Sequence, residues 1–344
     1  MIQSELLAWY SKNKRDLPWR QSKDPYKIWV SEIMLQQTRV DSVIPYFQRF
    51  ISLFPSIEDL ASAPEEQVIK AWEGLGYYSR AKNLHAAAKE IVFHGDGKIP
   101  SDRNSILKLK GIGSYTAGAI LSIAFDQKVP AVDGNVMRVL SRLFALTDDI
   151  SAVSTRKKME SLAEQLIPEE NPGDFNQALM ELGALVCSPT SPTCLFCPVR
   201  LMCDAYEQGI EEKLPRKKKA KPPVPHDMVV ALFRYGKRFI GEKRPDQGLL
   251  AGLWGFPTLE LTAGADPLQK IKDFCNQKQI PGSKYIIKGK FKHAFSHRHW
   301  NVTVVQVDVK YPSFPLPASW EWLDTGQKKE KTWANVYQKV FKLE

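Results

Sequence analysis

The chain is poor in cysteine and has neither an export signal nor a long apolar run. Among 344 residues there are five cysteines, and four of them fall between Cys187 and Cys203, too few and too clustered for a disulfide framework. No stretch of about 18 apolar residues is available to span a bilayer. The N-terminus, MIQSELLAWYSKNKRDLPWR, lacks a basic stretch leading into an apolar core and a small-residue cleavage site. A soluble protein that stays in the cytoplasm is expected, with no membrane partner. No internal repeat of about 20 to 50 residues is visible. What is present is an ordinary globular composition, 43% hydrophobic and 25% charged. That excludes disorder for most of the chain, and the length suits about two domains.

The net charge of +10 is unevenly placed. Residues before Leu214 carry 24 Lys+Arg against 27 Asp+Glu, a net of −3. Leu214 to His226 (LPRKKKAKPPVPH) carries five bases and no acids, and the remainder carries +8. The front segment therefore cannot be assigned to nucleic acid on bulk charge.

The pattern of the chain changes at the same place. Leu60 to Trp72 and Ala81 to Phe93 repeat apolar residues at three- and four-residue spacing between Pro and Gly breaks, which predicts an all-helical domain over 1–213. The four prolines and five cations of 214–226 predict an exposed, semi-extended linker. From 227 to 344, Met228 to Arg234, Tyr285 to Lys292 and Asn301 to Lys310 read as strands, with a helix over Asp266 to Gln279. This back domain is expected to be α+β.

Cys187, Cys194, Cys197 and Cys203 are separated by six, two and five residues, with Pro189, Pro192 and Pro198 shaping a tight loop. Four thiolates on one short loop suit a single compact centre. Zinc accepts four thiolates, though its structural sites usually build two Cys-x-x-Cys knuckles and only one is present. An iron-sulfur cube tolerates uneven spacing because each thiolate binds a different corner. Cys275 stands alone and is expected to be a small core or surface residue. The C-x6-C-x2-C-x5-C spacing resembles that of the endonuclease III and MutY group of DNA repair glycosylases, a resemblance that implies a 4Fe-4S cluster with a structural or DNA-sensing role.

Leu109 to Ile120 (LKGIGSYTAGAI) places Gly111 and Gly113 in a turn between two helical stretches. Such a turn either simply joins the helices or aims N–H groups at a phosphate. Asp133, in PAVDGNVMRVL, precedes a helical run as an N-cap. Glu32 lies among Ile28, Val30, Ile33 and Leu35. It belongs either to a solvated helix face or to a half-buried site that raises its pKa toward the range a general acid needs. SEIMLQQTRV, with Pro18 to Arg20 upstream, and the hairpin followed by VDGNVMRV resemble the MutY-type adenine DNA glycosylases. The resemblance implies that Glu32 protonates adenine and that Asp133 stabilises or captures the sugar cation, with Tyr115 and Asn135 orienting water and Asp133. Tyr115 stands where bifunctional relatives carry a lysine, and tyrosine forms no Schiff base. A monofunctional glycosylase is implied.

The same resemblance places Trp19, Arg20, Leu35 and Gln177 around the flipped adenine. It sets Gln37, Thr38, Leu75 and Tyr77 against the duplex, and gives Gly111 and Gly113 phosphate contacts. Core packing is the competing role for Tyr77 and Tyr78. The back domain resembles the Nudix (MutT-like) domain, chiefly at Gly248 to Pro257 and His293 to Trp300. It lacks an R-E-x-x-E-E sequence for magnesium, which implies binding without hydrolysis. There Phe295, Ser296 and His297 are implied to sense oxidised guanine, against the plainer role of a polar hairpin tip.

Read together, these features predict a helix-hairpin-helix glycosylase domain with a cluster loop at 187–203, joined to a Nudix-like recognition domain. The partner is duplex DNA with adenine opposite 8-oxoguanine or guanine, met by a monomer in a bacterial nucleoid. Two rivals stand beside it: a bifunctional endonuclease III-type glycosylase and a non-catalytic DNA-binding iron-sulfur protein.

Overall fold

The computed structural model describes residues 2–218 and 222–343. Two compact units are present: Met1–Ala71 with Ser79–Lys219, and Trp72–Tyr78 with Ala220–Glu344. Among the described residues no helix is long and apolar enough to cross a membrane.

The first unit is helical, as expected. It runs α1 (Ile2–Asn13), α2 (Pro25–Leu35), α3 (Val40–Leu53), α4 (Ile57–Ser62), α5 (Glu65–Ala71) and α6 (Ser79–His94), then α7 (Arg103–Ile106), α8 (Ser114–Phe125), α9 (Gly134–Leu143), α10 (Val153–Leu166), α11 (Pro172–Leu185) and α12 (Asp204–Glu207). Local signals set the ends. Asp24 caps α2 through Tyr26 N with Pro25 at the first turn, Ser56 and Asp59 form a capping box at α4, and Asp102 caps α7. The apolar faces of α1, α9, α10 and α11 share one core that includes Leu6, Val136, Leu140, Met159, Phe175 and Leu182.

Two glycines permit the close packing beneath the site. A Cβ at Gly118 of α8 would lie 2.0 Å from Pro130 O, and one at Gly183 of α11 would lie 2.7 Å from Asn135 Cβ. The small-residue run of α8 thus lets the segment before Asp133 lie directly against it, and α11 touches the first turn of α9.

The second unit holds a mixed sheet of seven strands in the order β3-β2-β1-β6-β5, with β4 on β1 and β7 on β2. Its strands are β1 (Val224–Tyr235), β2 (Arg238–Lys243), β3 (Trp254–Gly255), β4 (Thr258–Glu260), β5 (Gly282–Ala294), β6 (Arg298–Val309) and β7 (Trp320–Leu323). Among the described strands, β1 and β6 pair in parallel and the other pairs are antiparallel. β1 is buried on both faces, which is why MVVALF reads as a continuous apolar run. One face packs on α13 (Pro267–Gln277) through Ile271 and Cys275, so Cys275 is a core residue. The other carries an aromatic group of Phe239, Phe256, Trp333 and Phe341. Beside it lie α14 (Thr325–Glu330) and α15 (Asn335–Gln338).

Two sequence expectations need correction. Residues 214–226 are not an exposed linker throughout: Leu214 is buried and its carbonyl accepts from Arg142 Nε at 3.0 Å, Arg216 bridges to Asp149, and β1 begins at Val224. Residues 219–221 of that stretch lie outside the described residues. The segment Trp72–Tyr78, expected within the helical domain, belongs to the second unit. Its Glu73 Oε1 accepts from Trp333 N at 2.9 Å and Gln338 Nε2 at 3.3 Å.

Candidate active site

A cavity of about 590 Å³ opens in the first unit between α2, the start of α8, the start of α9 and α11. It brings together Glu32, Tyr115, Asp133 and Asn135, the four expected catalytic side chains, with Trp19, Arg20, Leu35 and Gln177 of the expected adenine pocket. Gln37, Thr38 and Gly113 also line it. Gly111, Leu75, Tyr77, Phe295, Ser296 and His297 do not. Gly111 turns the α7–α8 connection at φ +83°, and the last five lie in the second unit.

Glu32 sits on the buried side of α2 at 5% exposure, which settles against a solvated helix face. Tyr115 Oη donates to Glu32 Oε2 at 2.5 Å. Burial raises the carboxyl to about 7, with the Tyr115 hydrogen bond opposing and the Asp133 charge adding to the rise. Burial also lifts the Tyr115 phenol well above its usual range, so Tyr115 remains the donor. Asp133 caps α9: Val136 N donates to Oδ1 at 2.7 Å and Asn135 Nδ2 to Oδ2 at 3.0 Å. Burial raises its pKa against these two bonds and Arg138. The site thus holds one carboxyl poised to carry a proton and a second whose oxygens are fixed by donors.

The floor of the pocket depends on a residue that sequence reasoning missed. Glu181, 1% exposed, takes paired bonds from Arg15 (2.9 and 2.8 Å) and Arg20 (3.2 and 2.9 Å). Burial alone would raise it, yet the two guanidiniums hold it at about 2. Arg20 Nε also donates to Gln177 Oε1 at 3.2 Å. The available signal was spacing, since Gln177 and Glu181 stand four apart on α11 and share one face. Trp19 closes the pocket edge-on to Phe47.

Behind the site, Arg138 links Asn135 Oδ1 (2.9 Å) to Gly183 O and Cys187 O (both 2.8 Å). Cys187, Cys194, Cys197 and Cys203 line a second cavity of about 30 Å³, together with Arg142 and Glu211. Arg142 Nη1 donates to Cys187 Sγ at 3.3 Å. Burial raises the thiols of Cys194, Cys197 and Cys203, Cys197 to about 12. Among the described residues no three His, Cys, Asp or Glu side chains converge to hold a single metal ion. Four thiols around one small cavity are a donor set that, once deprotonated, would suit a compact cationic centre giving each its own corner.

In the second unit, Phe295, Ser296 and His297 form the turn between β5 and β6. Phe295 N donates to Arg298 O at 2.8 Å, and the Phe295 ring lies between His293 and Trp300. Tyr78 is buried, whereas Tyr77 is 48% exposed.

Residues 30–169 match the HhH-GPD superfamily of base excision DNA repair proteins, and residues 228–343 match the NUDIX domain. A solved thermostable thymine-DNA glycosylase is similar at 32% identity and TM-score 0.55, over 60% of this chain and 95% of that one. The fold is that of a helix-hairpin-helix base excision repair protein. The adenine DNA glycosylase of Mus musculus is 35% identical over 99% of this chain and 77% of its own length. That of Arabidopsis thaliana is 39% identical over 98% of this chain and 61% of its own. The chain belongs to the adenine DNA glycosylase family.

Proposed function

We propose that this protein is a monofunctional glycosylase of base excision repair that hydrolyses the N-glycosidic bond of adenine mispaired with 8-oxoguanine, and less efficiently with guanine. The observation that carries this is the meeting of Glu32 and Asp133 at one cavity, with Glu32 raised to about 7 and held by Tyr115.

A base inside the stack cannot be protonated, so adenine is flipped into the cavity. Trp19, Leu35 and the fixed Arg20–Gln177 pair would receive it there. Glu32, protonated near neutrality, gives its proton to a ring nitrogen and makes adenine a leaving group. Positive charge then develops on the sugar. Asp133, aimed by Val136 N and Asn135, stabilises or captures that charge, and the ionised Glu32 with Tyr115 activates water. Tyr115 offers no amine for a Schiff base.

Cys187, Cys194, Cys197 and Cys203 would hold a 4Fe-4S cluster, which ties their loop together. Gln37, Thr38, Leu75 and Tyr77 face the opened duplex, Gly111 and Gly113 meet phosphate, and the turn Phe295–His297 reads the opposite base. The protein would act as a monomer. Acting on chromosomal DNA, it would work at the nucleoid of a bacterial cytoplasm.

Single-turnover excision on duplexes with adenine opposite 8-oxoguanine tests the reading. Asn also caps helices, so Asp133→Asn should fold and lose at least about a hundredfold in rate. Free adenine released by that variant at the wild-type rate overturns the assignment.

A further inference from the structure

Arg15 and Arg20 line the same cavity as Glu32, and Arg20 is largely buried there. A cation beside a buried carboxyl favours its ionised form, which is the wrong form for a group that must give up a proton. Burial holds the Glu32 carboxyl up, and Arg20 pulls it down. The other charged or titratable groups that share the cavity are Tyr115 of α8, Asp133 at the start of α9 and Arg156 of α10.

Glu181, on α11, stands between the two arginines. It is 1% exposed and accepts five hydrogen bonds, from Arg15 N (2.8 Å), Nε (2.9 Å) and Nη2 (2.8 Å) and from Arg20 Nη1 (3.2 Å) and Nη2 (2.9 Å). Arg20 is fixed further by donating from Nη1 to Arg15 O at 3.0 Å and from Nε to Gln177 Oε1 at 3.2 Å. Burial would raise the Glu181 carboxyl, yet the bonds from the two arginines hold it at about 2, so it is an anion at every pH at which the protein works. The floor of the cavity therefore carries one net positive charge where two guanidiniums alone would carry two.

We propose that Glu181 is a positioning residue for the acid step: its carboxylate pins Arg15 and Arg20 together and balances one of their charges, and this keeps Glu32 protonated at neutral pH. The inference rests on the reading of Glu32 as the general acid. An amide at position 181 would keep one acceptor oxygen but turn an NH2 group on N–H donors, and both guanidinium charges would then act on Glu32. Removing Arg15 has the opposite effect, because Glu181 is left to balance Arg20 alone.

The test uses the full chain labelled in its glutamate carboxyl carbons, where the Glu32 resonance is the one absent from Glu32→Gln. Its titration is followed by NMR without DNA, and single-turnover adenine excision opposite 8-oxoguanine is measured over the same pH range. In the wild type both midpoints should fall near 7. In Glu181→Gln both should move down by about one pH unit, so that excision at pH 7 falls about fivefold relative to its low-pH plateau. In Arg15→Gln both should move up. A clamp with only a structural role would lower the plateau rate in the two variants and leave the midpoints where they were. An unmoved NMR midpoint, or a shift in the same direction in both variants, overturns the inference. Should Glu181→Gln fail to fold, Arg15→Gln decides alone, since the absence of an upward shift there overturns the inference equally. If the NMR midpoints move apart as expected while the excision midpoint stays in place, Glu181 does control the Glu32 proton and it is the reading of Glu32 as the acid that fails.

Discussion

Glu32 is a buried carboxyl whose hydrogen-bond partner is a phenol, and this sets both its reactivity and its cost. Its pKa of about 7 in the folded protein exceeds the ordinary 4.5. Between those values the folded state holds a proton that the unfolded state has lost. Stability therefore falls as pH rises through that window, and the full penalty applies above about 7. Glu32→Gln is neutral at every pH and can still accept from Tyr115. At pH 8 it should be more stable than wild type by on the order of 3 kcal/mol, the difference should shrink away as pH falls below the ordinary 4.5, and excision should be lost. Thermal unfolding of both proteins at either end of that range checks this, and a difference independent of pH would contradict it. Wild-type excision should likewise slow as pH rises through about 7, because the protonated form is the acid. Glu32 and Asp133 were legible in the sequence because each is a lone acid among apolar neighbours in a short motif. Glu181 was not, since its meaning comes from Arg15 and Arg20, 166 and 161 positions away.

The loop 187–203 is shaped as much by its neighbours as by its cysteines. Arg142 donates to Ser188 O at 2.7 Å and Pro189 O at 3.2 Å, and Arg138 to Cys187 O, so α9 grips the start of the loop through backbone carbonyls. The later part, Cys194 to Cys203, consists of short turns with no buried hydrophobic side chain but Val199. It depends on whatever joins the thiols. The purified protein should carry about four iron and four sulfide per chain. After their removal, amide exchange should rise sharply over 194–203 and much less over α9, whose residues Val136, Val139 and Leu140 sit in the core. A colourless protein that binds zinc would overturn the cluster. At this scale the sequence exposed the cysteine spacing and the long strands β1, β5 and β6. It hid β2 and β7, which are six and four residues long and carry Gly241 or alternate Trp and Glu. So short a strand is fixed by its pairing, not by its own pattern.

Over the whole molecule, the division into a helical half and a sheet-bearing half was readable from the change in pattern near residue 214, and the charge changes there too. The exception is Trp72–Tyr78, which joins the second unit through hydrogen bonds that Glu73 accepts and no local pattern announces. Residues before Leu214 carry a net of −3, so a phosphate backbone meets no bulk attraction there. Directed N–H groups and a few cations must suffice for the catalytic half. The concentrated charge follows it, in Arg216, Lys217, Lys218, Lys219 and Lys221. Arg216, which forms a backbone bridge with Asp149, is kept, and the four lysines are the residues to neutralise. Replacing them with Gln in the full chain should weaken duplex binding and flatten its salt dependence. The slope of log K against log[salt] should fall by about 0.9 for each lysine that contacted phosphate. The proposed preference for 8-oxoguanine over guanine should persist, because phosphate contacts carry no base identity. Binding isotherms across a range of salt concentrations measure this directly. An unchanged slope would mean that the cations holding DNA lie elsewhere, and a lost preference would mean that these lysines also place the base for reading.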